Sequence, residues 1–105
     1  MILSTTPTLE GHTIREYLGI VTAETIIGAN ALRDFAASFR DFFGGRSSSY
    51  EEVFVQGKEE ALRELSGRAQ GMGANAVVVI HLEYDTVGNA GSMLMVVATG
   101  TAVKI

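Results

Sequence analysis

Asn75-Ala76-Val77-Val78-Val79-Ile80-His81-Leu82-Glu83-Tyr84-Asp85-Thr86-Val87 changes character halfway along. Residues 76–80 are an unbroken apolar run rich in β-branched side chains, the composition of a strand buried on both faces. From Ile80 the chain alternates, with Ile80, Leu82 and Tyr84 on one side and His81, Glu83 and Asp85 on the other, the period of a half-covered strand. Gly88-Asn89-Ala90-Gly91 reads as a hairpin-type loop, and Met93 to Val103 returns as a strand with apolar residues at both parities. A pair of strands patterned in this way needs cover on both faces.

Working upstream, Ser48-Ser49-Tyr50-Glu51 fits a capping box, in which the serine hydroxyl and the glutamate carboxylate satisfy free amides where a helix starts. The stripe of that helix runs through Tyr50, Phe54, Gly57, Ala61, Leu65 and Ala69 to Met72. Glu52, Lys58, Glu59, Glu60, Arg63 and Glu64 face water, and Gly71 and Gly73 close it. An earlier helix is expected over about Ala31 to Phe43, where Leu32, Phe35, Ala36, Phe39, Phe42 and Phe43 recur at helical spacing between an Asn30 cap and Gly44-Gly45. Helical spacing makes that aromatic stripe packing surface rather than a cofactor pocket. Thr13 to Glu24 suits a strand with a bulge at Gly19, and Ile2 to Ser4 is an extended start ended by Pro7 and Gly11.

These elements predict one α+β domain over residues 1–105: a sheet of three to four strands with two helices. Two helices blanket one face of such a sheet, so the opposite face or an edge calls for another layer, and a second copy of the chain is its simplest source. At 105 residues there is no room for a second domain.

Bulk composition narrows the function classes. The chain is 47% hydrophobic and 19% charged, with eight Lys and Arg against twelve Asp and Glu. A net charge of −4 removes the electrostatic source of nucleic-acid binding. The absence of cysteine excludes disulfides, thiolate nucleophiles and zinc knuckles and fits a cytoplasmic setting. The N-terminus lacks the pattern of a secretory signal, and the uncharged stretch from Thr86 to Val103 is too rich in glycine and threonine for a membrane helix. No membrane partner is expected.

Several ordered blocks resemble the YbjQ-like family, small bacterial proteins that carry a heavy-metal-binding label. They are Ser4-Thr5-Thr6-Pro7, Gly28-Ala29-Asn30 with Arg33-Asp34-Phe35, Gly44-Gly45-Arg46-Ser47 followed by Tyr50-Glu51, Gly73-Ala74-Asn75-Ala76-Val77-Val78, Gly91-Ser92-Met93-Leu94-Met95 and Gly100-Thr101-Ala102-Val103. The likeness covers nearly the whole chain. It implies a β-rich α+β subunit of a ring-shaped homopentamer in which short extra strands aid assembly, with no established activity. Relatives often carry Ala and Arg where this chain has Gly57 and Lys58, and an acidic residue where it has His81.

Two candidate sites follow from the residues. Alternate positions His81, Glu83 and Asp85 project from one strand face and present an imidazole and two carboxylates to a divalent metal ion, the one cofactor the sequence brings into view. Neighbours on one strand face lie roughly 6.5–7 Å apart, so ligands from elsewhere would have to complete the sphere, and a solvated polar face is the plainer account. Arg46 and Ser47, ahead of a helix with Tyr50 and Glu51, could receive a small anion or ligand; equally, Arg46 pairs with Asp34 or Glu51, or crosses a subunit boundary. His12 and His81 are the only histidines, and neither lies in a catalytic motif. Met93 and Met95 read as adaptable packing rather than a copper site.

The leading expectation is a non-enzymatic cytoplasmic homo-oligomer, a pentamer by resemblance, that binds a small ligand, anion or metal ion where subunits meet. The alternative is an enzyme of hydrolase or lyase type whose active site is shared between subunits and draws on Arg46, Asp34, Glu51 or His81.

Overall fold

A computed structural model describes residues 1–28, 46–88 and 93–105, and the side chains of 46–50 lie outside that description. The described residues form four strands and one helix: β1 (Ile2–Leu3), β2 (Glu16–Ile27), α1 (Arg46–Gly71), β3 (Ala76–Val87) and β4 (Met93–Lys104). The helix expected over about Ala31 to Phe43 and most of the loop expected at Gly88 to Gly91 fall outside them.

The strands make one mixed sheet in the order β1-β3-β4-β2. β3 and β4 form the antiparallel pair that the alternation predicts, β2 runs antiparallel along the other side of β4, and β1 pairs in parallel with the start of β3 through Ile2↔Ala76 and Leu3↔Val77. The expected irregularity at Gly19 is present as a register shift between Tyr17 and Gly19, with Gly19 at φ 122°. The strand itself starts and ends three residues later than the pattern placed it.

A second irregularity decides which side chains meet the helix. Val78 pairs with Thr101 and His81 with Thr99, so Val79 and Ile80 together oppose Gly100. Strict alternation from Val77 would turn Val79, His81 and Glu83 toward the helix. The extra residue turns Ile80, Leu82 and Tyr84 there instead. Val79 takes φ 55°, a left-handed conformation that β-branched residues avoid, and its side chain is exposed rather than buried in the apolar run. Non-local bonds hold it: Val79 N–H donates to the Thr6 carbonyl (3.1 Å), Ile80 N–H to that of Ser4 (3.0 Å), and Ser4 N–H to that of Val77 (2.9 Å).

α1 packs on one face of the sheet through Val53, Gly57, Ala61, Leu65 and Ala69, which repeat every four residues and are all buried. This corrects three details of the expected helix. Val53 rather than Phe54 lies in the stripe, Met72 falls beyond the helix and is exposed, and the helix begins at Arg46, which puts Ser48 inside the first turn instead of at the cap. Small residues let the helix lie close to the sheet: a Cβ on Gly57 would stand 2.8 Å from Cγ2 of Val96. Val21, Ala23, Val77, Ile80, Leu94, Val96, Ala98 and Ala102 complete this core.

Candidate functional site

Among the described residues the opposite face of the sheet is covered only at one end. There Ala76, Val78 and Val103 are buried beneath Leu9, Ile14 and Ile105. Asn75 ties this end down, its Oδ1 accepting from Ile105 N–H (2.8 Å) and its Nδ2 donating to the Ile105 carbonyl (3.1 Å), to which Arg15 also donates (3.1 Å).

Beyond that cap the face is open among the described residues. Cross-strand pairing sets it out in rows: Ile20, Thr101 and Val78; then Thr22, Thr99 and His81; then Glu24, Val97 and Glu83; then Ile26, Met95 and Asp85. Ile20 is 80% exposed, Tyr17 67% and Ile26 58%, while Met93, Met95 and Val97 are half-buried. Large apolar side chains so placed on a regular surface are the residues that the helix cannot reach, because α1 lies on the other side.

The three metal candidates sit on this face and do not converge. His81 Nε2 lies 3.2 Å from Glu83 Oε1. Asp85 turns back on the chain, its Oδ1 accepting from Thr86 N–H at 2.9 Å. Among the described residues no group of three or more His, Cys, Asp or Glu side chains is arranged to hold a metal ion. A chain without cysteine also lacks the thiolates that soft heavy metals select. The donor set of the described residues of one chain therefore does not fit a heavy-metal site.

Of the anion candidates, Arg46 opens α1 and Ser47 and Tyr50 follow in its first turn, but their side chains, like the whole of Asp34, lie outside the described residues. Glu51 is exposed on the helix, across the sheet from His81, so these two groups of the shared-enzyme reading are not brought together within one chain. His12 is exposed in a tight turn, its N–H donating to the Leu9 carbonyl (3.0 Å).

Two arrangements have no local signal in the sequence. Arg68, near the end of α1, donates through Nη1 to the Thr22 carbonyl of β2 (2.8 Å) and pairs through Nη2 with Glu24 (3.5 Å) and Glu64 (3.0 Å). The hydrogen bonds from Glu24 and then Glu64 hold its guanidinium above the ordinary arginine range. The second is the Val79 bulge with its wrapping of Ser4 to Thr8, where Ser4 Oγ lies 2.5 Å from Thr6 Oγ1 and Thr6 Oγ1 donates to the Thr8 carbonyl (2.6 Å). Three of the sequence blocks singled out above, 4–7, 73–78 and 100–103, meet around this bulge. No helix among the described residues is long and apolar enough to cross a membrane.

Comparison with known proteins agrees with this picture. A UPF0145 protein of Trichodesmium erythraeum (strain IMS101) is 54% identical over 107 residues, covering 100% of this chain and 99% of that protein. A crystal structure of a protein with unknown function, assigned to the DUF74 family, from Pediococcus pentosaceus ATCC 25745 superposes with a TM-score of 0.61 over 100% of this chain and 97% of that one. At 18% identity it speaks for the fold alone. The family model described as "Putative heavy-metal-binding" matches residues 1–105, and the chain belongs to this YbjQ family.

Proposed function

We propose that this chain is a non-enzymatic subunit of a homo-oligomer, a five-membered ring in the cytoplasm, that encloses a ligand or anion site where copies meet. The observation that carries the reading is the open sheet face, with Ile20, Ile26 and Tyr17 more than half exposed beside Met93, Met95 and Val97. Among the described residues one helix shields one face, and apolar side chains stand on the other. A second copy is the cover that requires no further component, and the copy number of five comes from the family resemblance.

The described donors of one chain do not make a metal site, so the family's label is not carried over here as a metal function. Any ligand would sit between copies, where groups such as His81 and Glu83 on the open face meet those of a neighbour.

Val97→Asp tests the reading. Val97 stands between Glu24 and Glu83 in the middle of the face, so a carboxylate there adds a third acid to the row and places an unpaired charge in the contact. The expected result is a smaller particle by light scattering and lower solubility. A folded variant of unaltered particle size would refute assembly through this face.

A further inference from the structure

Among the described residues the outer edge of β3 is covered only over its first half. β1 accompanies β3 only at Ala76 and Val77, and the carbonyls of Thr6 and Ser4 take the amides of Val79 and Ile80. Past Ile80, no strand among the described residues lies alongside β3 on its outer side. The Ile80 amide points outward to Ser4, so alternation points those of Leu82, Tyr84 and Thr86 the same way. Thr86 N–H donates to Asp85 Oδ1, and among the described residues Leu82 and Tyr84 each present an N–H and a C=O. The other edge of the sheet, β2, is bridged at one point, where Arg68 donates to the Thr22 carbonyl in the middle of the strand.

The same stretch of β3 borders an apolar notch. α1 lies chiefly over β2 and β4, and between it and β3 a cavity of about 260 Å³ is lined by Phe54, Tyr84, Asp85, Thr86 and Leu94. The Phe54 and Tyr84 rings meet edge to face with centroids 5.3 Å apart. On the far side of this uncovered edge stand the exposed carboxylates of Glu83 and Asp85.

We propose that the outer edge of β3 at Leu82 and Tyr84 is a strand-addition site for an extended basic peptide. Its main chain bonds to those two residues, one apolar side chain enters the Phe54–Tyr84 notch, and its alternate Lys or Arg side chains meet Glu83 and Asp85. Strand addition draws affinity from the backbone and specificity from alternate side chains, and an edge strand beside a helix supplies both. Charge selects this occupant over a second copy. Two copies paired antiparallel about Tyr84 would set Glu83 against Asp85 of the other chain, a like-charge opposition that destabilises a ladder, and the chain as a whole carries −4. The edge and the notch lie off the open face but Glu83 and Asp85 stand on it, so particle size is measured beside binding for every variant, and Phe54→Ala, on the helix side of the sheet, tests the site without touching the assembly face.

The test uses the full chain and two capped heptapeptides, one alternating lysine and valine around a central phenylalanine, the other with glutamate for each lysine. Binding is read at about 50 mM salt, where screening is weak, together with amide hydrogen exchange. The basic peptide is expected to bind roughly tenfold tighter than the acidic one and to slow exchange at Leu82 and Tyr84. The exposed double variant Glu83→Lys with Asp85→Lys is expected to reverse the preference, and Phe54→Ala to weaken the basic peptide roughly tenfold. Any one of the following overturns the proposal: equal binding of the two peptides, no binding at millimolar peptide, protection elsewhere on the sheet, or protection of Leu82 and Tyr84 on concentrating the chain alone, which would make a second copy the occupant.

Discussion

Gly100 lies directly against Val77: a Cβ on Gly100 would stand 2.6 Å from Cγ1 of Val77, with Cγ1 of Ile80 and the Val78 carbonyl oxygen each at 3.2 Å. The glycine is the counterpart of the bulge, because two residues of β3 crowd over one position of β4. Gly100→Ala is therefore expected to destabilise the fold by about 1–3 kcal/mol, the range for overpacking a filled core. Val77→Ala should cost less in that background than alone. Denaturant unfolding of the four proteins gives the coupling, and simple additivity would show that the two positions do not compete for space.

Val79 is held left-handed by the carbonyls of Ser4 and Thr6, and its side chain is 51% exposed. Asparagine tolerates this conformation where valine does not, so Val79→Asn removes strain and forfeits little burial. The expected gain is about 1 kcal/mol. Val79→Gly should gain less, because glycine also loosens the unfolded chain. A lower melting point for the asparagine variant would contradict the assigned backbone.

The Arg68 link to Thr22 and Glu24 has a pH signature. A cation whose pKa is raised on folding contributes fully below its unfolded value, and that contribution is lost only as pH rises through the folded one. For arginine both lie in strong alkali. The difference in melting temperature between the native chain and Arg68→Met should thus stay constant between about pH 6 and 9. A difference that collapses within that window would mean that another group carries the link.

Divalent metal ions should leave the melting curve where it is. A site filled at a hundred times its dissociation constant would add about 2.7 kcal/mol of stability, a shift that thermal unfolding resolves easily. With His81 paired to Glu83 and Asp85 turned to its own neighbour, the described residues offer no such site. Raised melting temperature with zinc or cadmium, together with retained metal in elemental analysis, would reverse this conclusion.

Much of the fold is legible because its signals are local. The alternation after Ile80 places the faces of β3, the double parity of Met93 to Val103 marks a central strand, and Gly19 marks the bulge of β2. The Val79 bulge is silent by contrast, since Ala76 to Ile80 is uniformly apolar and the bonds that hold Val79 come from residues more than seventy positions away. The expected helix stripe holds at Gly57, Ala61, Leu65 and Ala69 and differs at Phe54, because Val53 and Phe54 are both apolar. Only packing against the small residues of β2 and β4 decides that Val53 goes inside and that Phe54 pairs with Tyr84 at the rim.

The site was legible in part for the same reason. Alternation puts His81, Glu83 and Asp85 on one face, but spacing does not show that Asp85 bends back to Thr86, nor that Arg68 crosses from helix to sheet edge over forty-six positions. What hydropathy did carry is the excess of apolar sheet. From Leu94 to Ala102 every second residue of β4 is buried on the helix side, and the residues between them are half-buried on a face that, among the described residues, is uncovered beyond the cap of Leu9, Ile14 and Ile105.

Sedimentation equilibrium of the untagged native chain at micromolar concentration tests that excess most directly. A particle several times the 11.2 kDa subunit mass, five times it for the ring, is the predicted result. A stable, cooperatively melting monomer would contradict the account.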